Sequence, residues 1–363
     1  MKVKCNVLDR QYKLFEEEYN QAALRVLKSG WYILGNEVSK FEKEFSEHVG
    51  SKFCVGLNSG LDALILAVRA LGIGAGDEVI VQANTYIATV LGITENKATP
   101  IYVEPDEYFN IDYRKIEEKI TNKTKAIMVV HLYGQAANMK KIMEIANKYH
   151  LPVIEDCAQS HESCYDGKMT GTFGIIGCYS FYPTKNMGAF GDGGCIVTDN
   201  EEMAETIRKM RNYGSKEKYH NEIMGINSRL DEIQAALLRV KLKHMDVITK
   251  ERYNMGKNYL EGISNSKIIL PKTLPLVNHV YHQFVIRCEK RDALHDYLEE
   301  NGVQTQIHYP IPPHLAECYI YQGIKKDSFP IAEKYADTVL SLPMYTGMTK
   351  EEQDYVINVL NKF

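Results

Sequence analysis

The sequence predicts an α/β protein built on a mostly parallel sheet, and three observations carry that reading. Between Phe53 and Thr198, short apolar runs alternate with segments of helical period. The strand-like runs are nearly continuous in apolar residues, as strands covered on both faces are. Beyond Pro271 the alternation gives way to a different mixture of strand and helix signals, which marks a second and smaller α/β unit.

In the first unit, strands are predicted at Phe53–Gly56, Glu78–Val81, Ile101–Val103, Ala126–Val130 and Val153–Ile154, with helices at Leu61–Leu71, Tyr86–Glu95 and Met139–Tyr149. Leu61, Leu64, Ile65 and Val68 fall on one stripe of the first of these helices. Ser59 precedes it with Asp62 three residues on, an arrangement like a capping box. A segment with Leu230, Ile233, Leu237 and Val240 in helical register begins at Ser228. It is predicted to continue towards Leu260 as a strut between domains. The division that follows is a large unit, 1–245, and a small one, 246–363. The small unit is expected to hold a strand in Val280–Arg287, a helix from Arg291 and a strand at Val303–Ile307. The proline-rich His308–His314 and a helical stretch near Phe329–Leu340 complete it.

A net charge of −4 gives no electrostatic pull towards nucleic acid or an anionic membrane. No apolar run approaches membrane-spanning length, and the mixed, charged first residues do not read as a signal peptide. The eight cysteines show neither a CxxC pair nor the spacing of a zinc site. Reduced thiols, a cytoplasmic location and no bound metal are expected from that pattern.

The chemistry concentrates between Leu151 and Thr198. Asp156 ends an apolar strand, and Lys185 follows an aromatic run and precedes Gly188, Gly191, Gly193 and Gly194. A lysine that attacks a carbonyl must be neutral and held in place, and a pyridine cofactor needs an anion opposite its ring nitrogen. The order suits a pyridoxal 5'-phosphate (PLP) site. Of the neighbouring acids, Asp156 is preferred to Glu155, because alternation along a strand lets only one face the site. Ser59 and Gly60, at a helix start, and Ser180 are candidate phosphate ligands. Tyr86 reads either as ordinary core or as a ring laid over the cofactor. The Gly191–Gly194 run precedes a strand and is not a P-loop.

Together GLNSGLDAL, DEVIVQANTYIATV, HLYGQAANM, EDCAQSH, SFYPTKNMGAFGDGG, NSRLDEIQAA and HYPIPPHL resemble the DegT/StrS-type nucleotide-sugar aminotransferases. The resemblance runs through nearly the whole chain. It implies a PLP-dependent transferase of fold type I, with a large, mostly parallel-sheet domain and a smaller α/β C-terminal domain. It implies Lys185 as the Schiff-base lysine and Asp156 as partner of the pyridine nitrogen. Gln159 would lie near the phenolic oxygen, Tyr86 would stack, and Ser59, Gly60 and Ser180 would cradle the phosphate. Asn227 would reach the phosphate from a neighbouring subunit, implying a homodimer with shared sites. Tyr182, Arg229, His308 and Tyr309 are candidate sugar-nucleotide contacts; Arg229 also reads as a helix-surface ion pair, and His308 and Tyr309 as packing. The implied reaction moves an amine from glutamate to a nucleotide-linked ketosugar by ping-pong kinetics, most like amination at C3 of a dTDP-linked 3-keto-6-deoxyhexose. Amination at C4, lyase chemistry and a non-catalytic regulatory role are the alternatives. Relatives with histidine in place of the lysine dehydrate instead, and this chain keeps Lys185. Ser160 and Glu162 depart from the alanine and glycine of many relatives.

Overall fold

The computed structural model describes every residue from Met1 to Phe363. The large unit is organised by seven strands. They are β1 (Phe53–Leu57), β2 (Glu78–Gln82), β3 (Thr99–Val103), β4 (Thr124–Val130), β5 (Val153–Asp156), β6 (Ile176–Ser180) and β7 (Gly194–Thr198). Their order across the sheet is β1-β7-β6-β5-β4-β2-β3. Pairs β3–β2, β2–β4, β4–β5 and β5–β6 are parallel, while β7 runs antiparallel to both β1 and β6. The interior residues of β2, β4 and β5 are buried on both faces, which is why those segments read as unbroken apolar runs.

Helices Gly60–Ala70, Ile87–Thr94 and Met139–Lys148 form where the helical period predicts them. The Ser59 hydroxyl accepts the Asp62 N–H at 3.1 Å, half of the expected capping box. The Asp62 carboxylate does not return the bond; it accepts from the Ser228 hydroxyl at 2.7 Å.

The predicted strut is two helices, Glu232–Leu242 and Met245–Gly262. No proline or glycine causes the break. His244 leaves helical geometry to stack on Phe15 at 3.9 Å and meet Glu18 at 2.8 Å. The start is also later than Ser228, because Ile33 pairs with Asp231 and the Ser228 N–H is bound to Arg211.

The small unit packs helices Arg291–Glu300, Pro330–Thr338 and Lys350–Leu360 with a sheet of Ile268–Ile269, Phe284–Cys288 and Val339–Leu342. The strand expected from Val280 starts only at Phe284. The preceding backbone is committed elsewhere: Val280 and Gln283 N–H groups donate to Gly134 and Tyr133, and Arg252 takes the Tyr281 and His282 carbonyls. No strand forms at Val303–Ile307, where isolated bridges join Val303 to Val3 and Gln306 to Ser341. The last helix signal also ends early, since Val339–Leu342 is a strand. Val3 lies in the apolar core of this unit, and Arg10 pairs with Glu352 at 2.5 Å. Val3 and Arg10 therefore pack with the C-terminal unit, while Leu8 shares a cavity wall with Pro183 and Gly188 of the large one. No helix is long and apolar enough to cross a membrane.

Candidate active site

Carboxyl ends of parallel strands leave loops facing one crevice, where α/β sheets take ligands. Here β1 leads into Asn58-Ser59-Gly60, β2 into Thr85-Tyr86, β5 ends on Asp156 and β6 on Ser180. These loops enclose a cavity of about 470 Å³. Ser59, Gly60, Tyr86, Asp156, Gln159, Ser180, Tyr182, Lys185, His308 and Tyr309 all line it. Loops some 250 residues apart in sequence thus meet at one place.

Asp156 points into this cavity and Glu155 away from it. Glu155 accepts the N–H groups of Gly171, Phe173 and Gly174 at 2.7–2.8 Å and meets His131 at 2.9 Å. With Cys157 these residues form a compact His/Glu/Cys cluster, but its carboxylate is already taken by four hydrogen-bond partners. The cluster anchors the end of β5.

Both oxygens of Asp156 are engaged, Oδ2 by the Thr89 hydroxyl at 2.7 Å and Oδ1 by the Ala158 N–H at 3.1 Å. Burial raises the Asp156 pKa from its ordinary value, while Thr89, Ala158 and Lys185 oppose the rise. A cation placed against this carboxylate would relieve the cost of burying it.

Lys185 sits in a tight loop in which its N–H donates to the Tyr182 carbonyl at 2.8 Å and Ala189 returns to Phe181 at 2.7 Å. The pocket desolvates its amine and lowers the pKa to about 8, against the pull of Asp156. A usable fraction is therefore uncharged near neutral pH.

The glycines make the cradle possible by close approach. A Cβ on Gly60 would lie 2.5 Å from Ser180 Cβ, and one on Gly194 would lie 2.4 Å from the Ser59 carbonyl oxygen. Gly194, the first residue of β7, therefore packs against the Ser59 turn. The N–H groups of Gly60 and Leu61, at the helix start, have no partner within the chain. Such free donors beside two serines suit a phosphate.

Gln159 is fixed from both ends: Tyr133 N–H donates to its Oε1 at 2.7 Å, and its Nε2 donates to the Tyr309 hydroxyl at 2.9 Å. Tyr86 is not core. It is 51% exposed at the pocket mouth, its ring 5.0 Å from that of Tyr309. The His308 ring meets the Ser341 hydroxyl at 2.8 Å, and burial beside Lys185 lowers its pKa to about 4.

Asn227 and Arg229 are not brought to this pocket within one chain. Asn227 bridges to Asn212, and Arg229 donates to Asn212 at 3.0 Å and lies over the Tyr213 ring. Arg229 is outside any helix, so it is not a helix-surface ion pair either. Thr85, Thr89, His282 and Gln283 line the pocket without having been singled out from the sequence. Thr85 and Thr89 flank Tyr86 at helical spacing, a signal that could have found them.

The donor set fits PLP: a lysine of lowered pKa, a buried carboxylate for a pyridinium, and a serine–glycine cradle for phosphate. Residues 13–361 match the DegT/DnrJ/EryC1/StrS aminotransferase family. The chain is 51% identical over 350 residues to dTDP-3-amino-3,6-dideoxy-alpha-D-galactopyranose transaminase from Aneurinibacillus thermoaerophilus, covering 96% of each. It aligns with the crystal structure of S. venezuelae DesV in complex with a ketimine intermediate at TM-score 0.98 and 43% identity, covering 99% of this chain and 98% of that one. Against NtdA of Bacillus subtilis with bound cofactor PMP, the TM-score is 0.92 at 34% identity, covering 99% and 84%. The chain belongs to the DegT/DnrJ/EryC1/StrS aminotransferase family and carries the α/β fold of these enzymes.

Proposed function

We propose that this protein is a PLP-dependent aminotransferase that moves an amino group from glutamate to C3 of a dTDP-linked 3-keto-6-deoxyhexose. The observation that carries the reading is one cavity that holds the Lys185 amine, of lowered pKa, together with the Asp156 carboxylate. The 51% identical relative, named as a dTDP-3-amino-sugar transaminase, supports the sugar class and the carbon.

When bound, PLP supplies a carbonyl to carry the amine and an electron sink for the carbanion left by loss of the donor's α-proton. Lys185 Nζ holds the cofactor, then takes that α-proton. In the return half-reaction it delivers a proton to the sugar carbon that receives the amine. Asp156 would hold the ring nitrogen protonated. Ser59, Gly60 and Ser180 would bind the phosphate, Tyr86 would cover the ring, and Gln159 would orient the phenolic oxygen. Tyr182, His308 and Tyr309, which also line the cavity, would hold the sugar and screen the reacting carbon from water.

Lys185 is the cavity's only lysine, and no arginine lines it. Glutamate and a nucleoside diphosphate are both anions, and a cation from a second copy would answer them. This supports a homodimer in which Asn227 and Arg229 serve the partner's site. Eight free cysteines fit work in the reducing cytoplasm.

The test is to add glutamate to the PLP-loaded protein without ketosugar, beside Lys185→Ala. The wild type should release one equivalent of 2-oxoglutarate per site and stop, and the variant none. Release without limit, or equal release by the variant, would count against the reading.

A further inference from the structure

A second cavity lies behind the loop that carries Lys185. Tyr182, Thr184 and Lys185 face the active-site cavity, while Pro183, Gly188, Ala189 and Phe190 face this other one, of about 210 Å³. The loop is a wall shared by the two spaces. Leu8, Tyr12, Tyr19 and Lys241 complete the second lining with Gln11.

Its polar groups are unbalanced. Lys241 is 2% exposed, and its Nζ donates to one partner, the Gly188 carbonyl at 3.0 Å. Tyr19 is equally buried, and its hydroxyl has no partner. No acidic residue lines the cavity. Burial lowers the Lys241 pKa to about 7, Arg252 adds to the effect, and no carboxylate opposes it. A buried amine with a single hydrogen-bond partner and a hydroxyl with no acceptor are both costly. A ligand with two acceptor oxygens and a negative charge would satisfy both at once. Apart from the Gln11 amide, the remaining side-chain wall is mostly apolar and aromatic: Leu8, Tyr12, Pro183 and Phe190, with the Phe190 ring edge-on to Tyr19 at 4.8 Å.

We propose that this cavity is a binding site for a small monocarboxylic acid with a flat, apolar body, its carboxylate held between Lys241 and Tyr19. The site is separate from the reaction centre but mechanically joined to it, since Lys241 is the hydrogen-bond partner of the loop that positions Lys185.

The probe is 4-iodobenzoate, titrated by calorimetry into the PLP-loaded protein and located by the anomalous signal of iodine in soaked crystals. Saturable binding is expected, with iodine against Phe190 and Tyr12. Lys241→Met and Tyr19→Phe should each weaken it by about tenfold, the loss of one hydrogen bond to a charged ligand. Tyr309→Phe, in the other cavity, should leave it intact. Should Lys241→Met fail to fold, Tyr19→Phe alone decides. Iodine found only beside Lys185, no saturable binding, or full affinity in the variants that fold would overturn the proposal.

Discussion

The Thr89 hydroxyl donates to Asp156 Oδ2 at 2.7 Å and is itself 2.7 Å from the Thr85 hydroxyl. This short chain ties the start of helix Ile87–Thr94, where Tyr86 is the N-cap, to the end of β5. It holds the carboxylate in place and favours its charged form against the cost of burial.

Thr89→Val keeps the shape and removes that hydrogen bond. Asp156 should become harder to ionise, and PLP affinity should fall by about tenfold, from a charge-assisted bond of roughly 1.5–3 kcal/mol. Thr89→Ser should restore it. An absorbance titration of each variant with PLP measures the effect, and unchanged affinity in Thr89→Val would count against this role.

The pH dependence follows from Lys185. Its pKa is lowered to about 8, so below that pH the amine is mostly protonated and cannot accept the donor's α-proton. Single-turnover release of 2-oxoglutarate should rise with pH and level off above about 8. A rate that falls as pH rises towards 8 would put a different base at the reacting carbon.

Glu155 is a matter of stability rather than chemistry. Glu155→Leu leaves the N–H groups of Gly171, Phe173 and Gly174, buried or partly buried, without an acceptor. A loss on the order of 3–5 kcal/mol is expected in urea denaturation, because a hydrogen-bond network around a fully buried side chain is being broken. Glu155→Gln, which keeps one acceptor, should lose less.

Gly60→Ala tests the phosphate cradle. The added methyl would sit 2.5 Å from Ser180 Cβ and force the two loops apart. Overpacking of that kind costs about 1–3 kcal/mol, which should appear as roughly tenfold weaker PLP binding with the fold retained. Equal affinity in the variant would show that the phosphate does not depend on this contact.

Much of the site was legible because its residues stand at the boundaries of regular elements. Asp156 ends an apolar run, Ser59 opens a periodic helix, and Lys185 sits between aromatics and glycines. What could not be read depends on contacts between distant segments. The break at His244 is made by Phe15 and Glu18, and the missing strand at Val280–Gln283 by Gly134, Tyr133 and Arg252. Thr89 looks like any helix threonine until Asp156 is placed beside it. Asn227 and Arg229 entered by resemblance, and the role given to Asn227 needs a second chain.

The most direct test supplies purified protein, PLP and glutamate with either the dTDP-linked 3-keto-6-deoxyhexose or its 4-keto isomer, and identifies the product by NMR. The account predicts conversion of the 3-keto sugar, with the new amine on C3. Turnover of the 4-keto sugar alone, with nitrogen on C4, would contradict it.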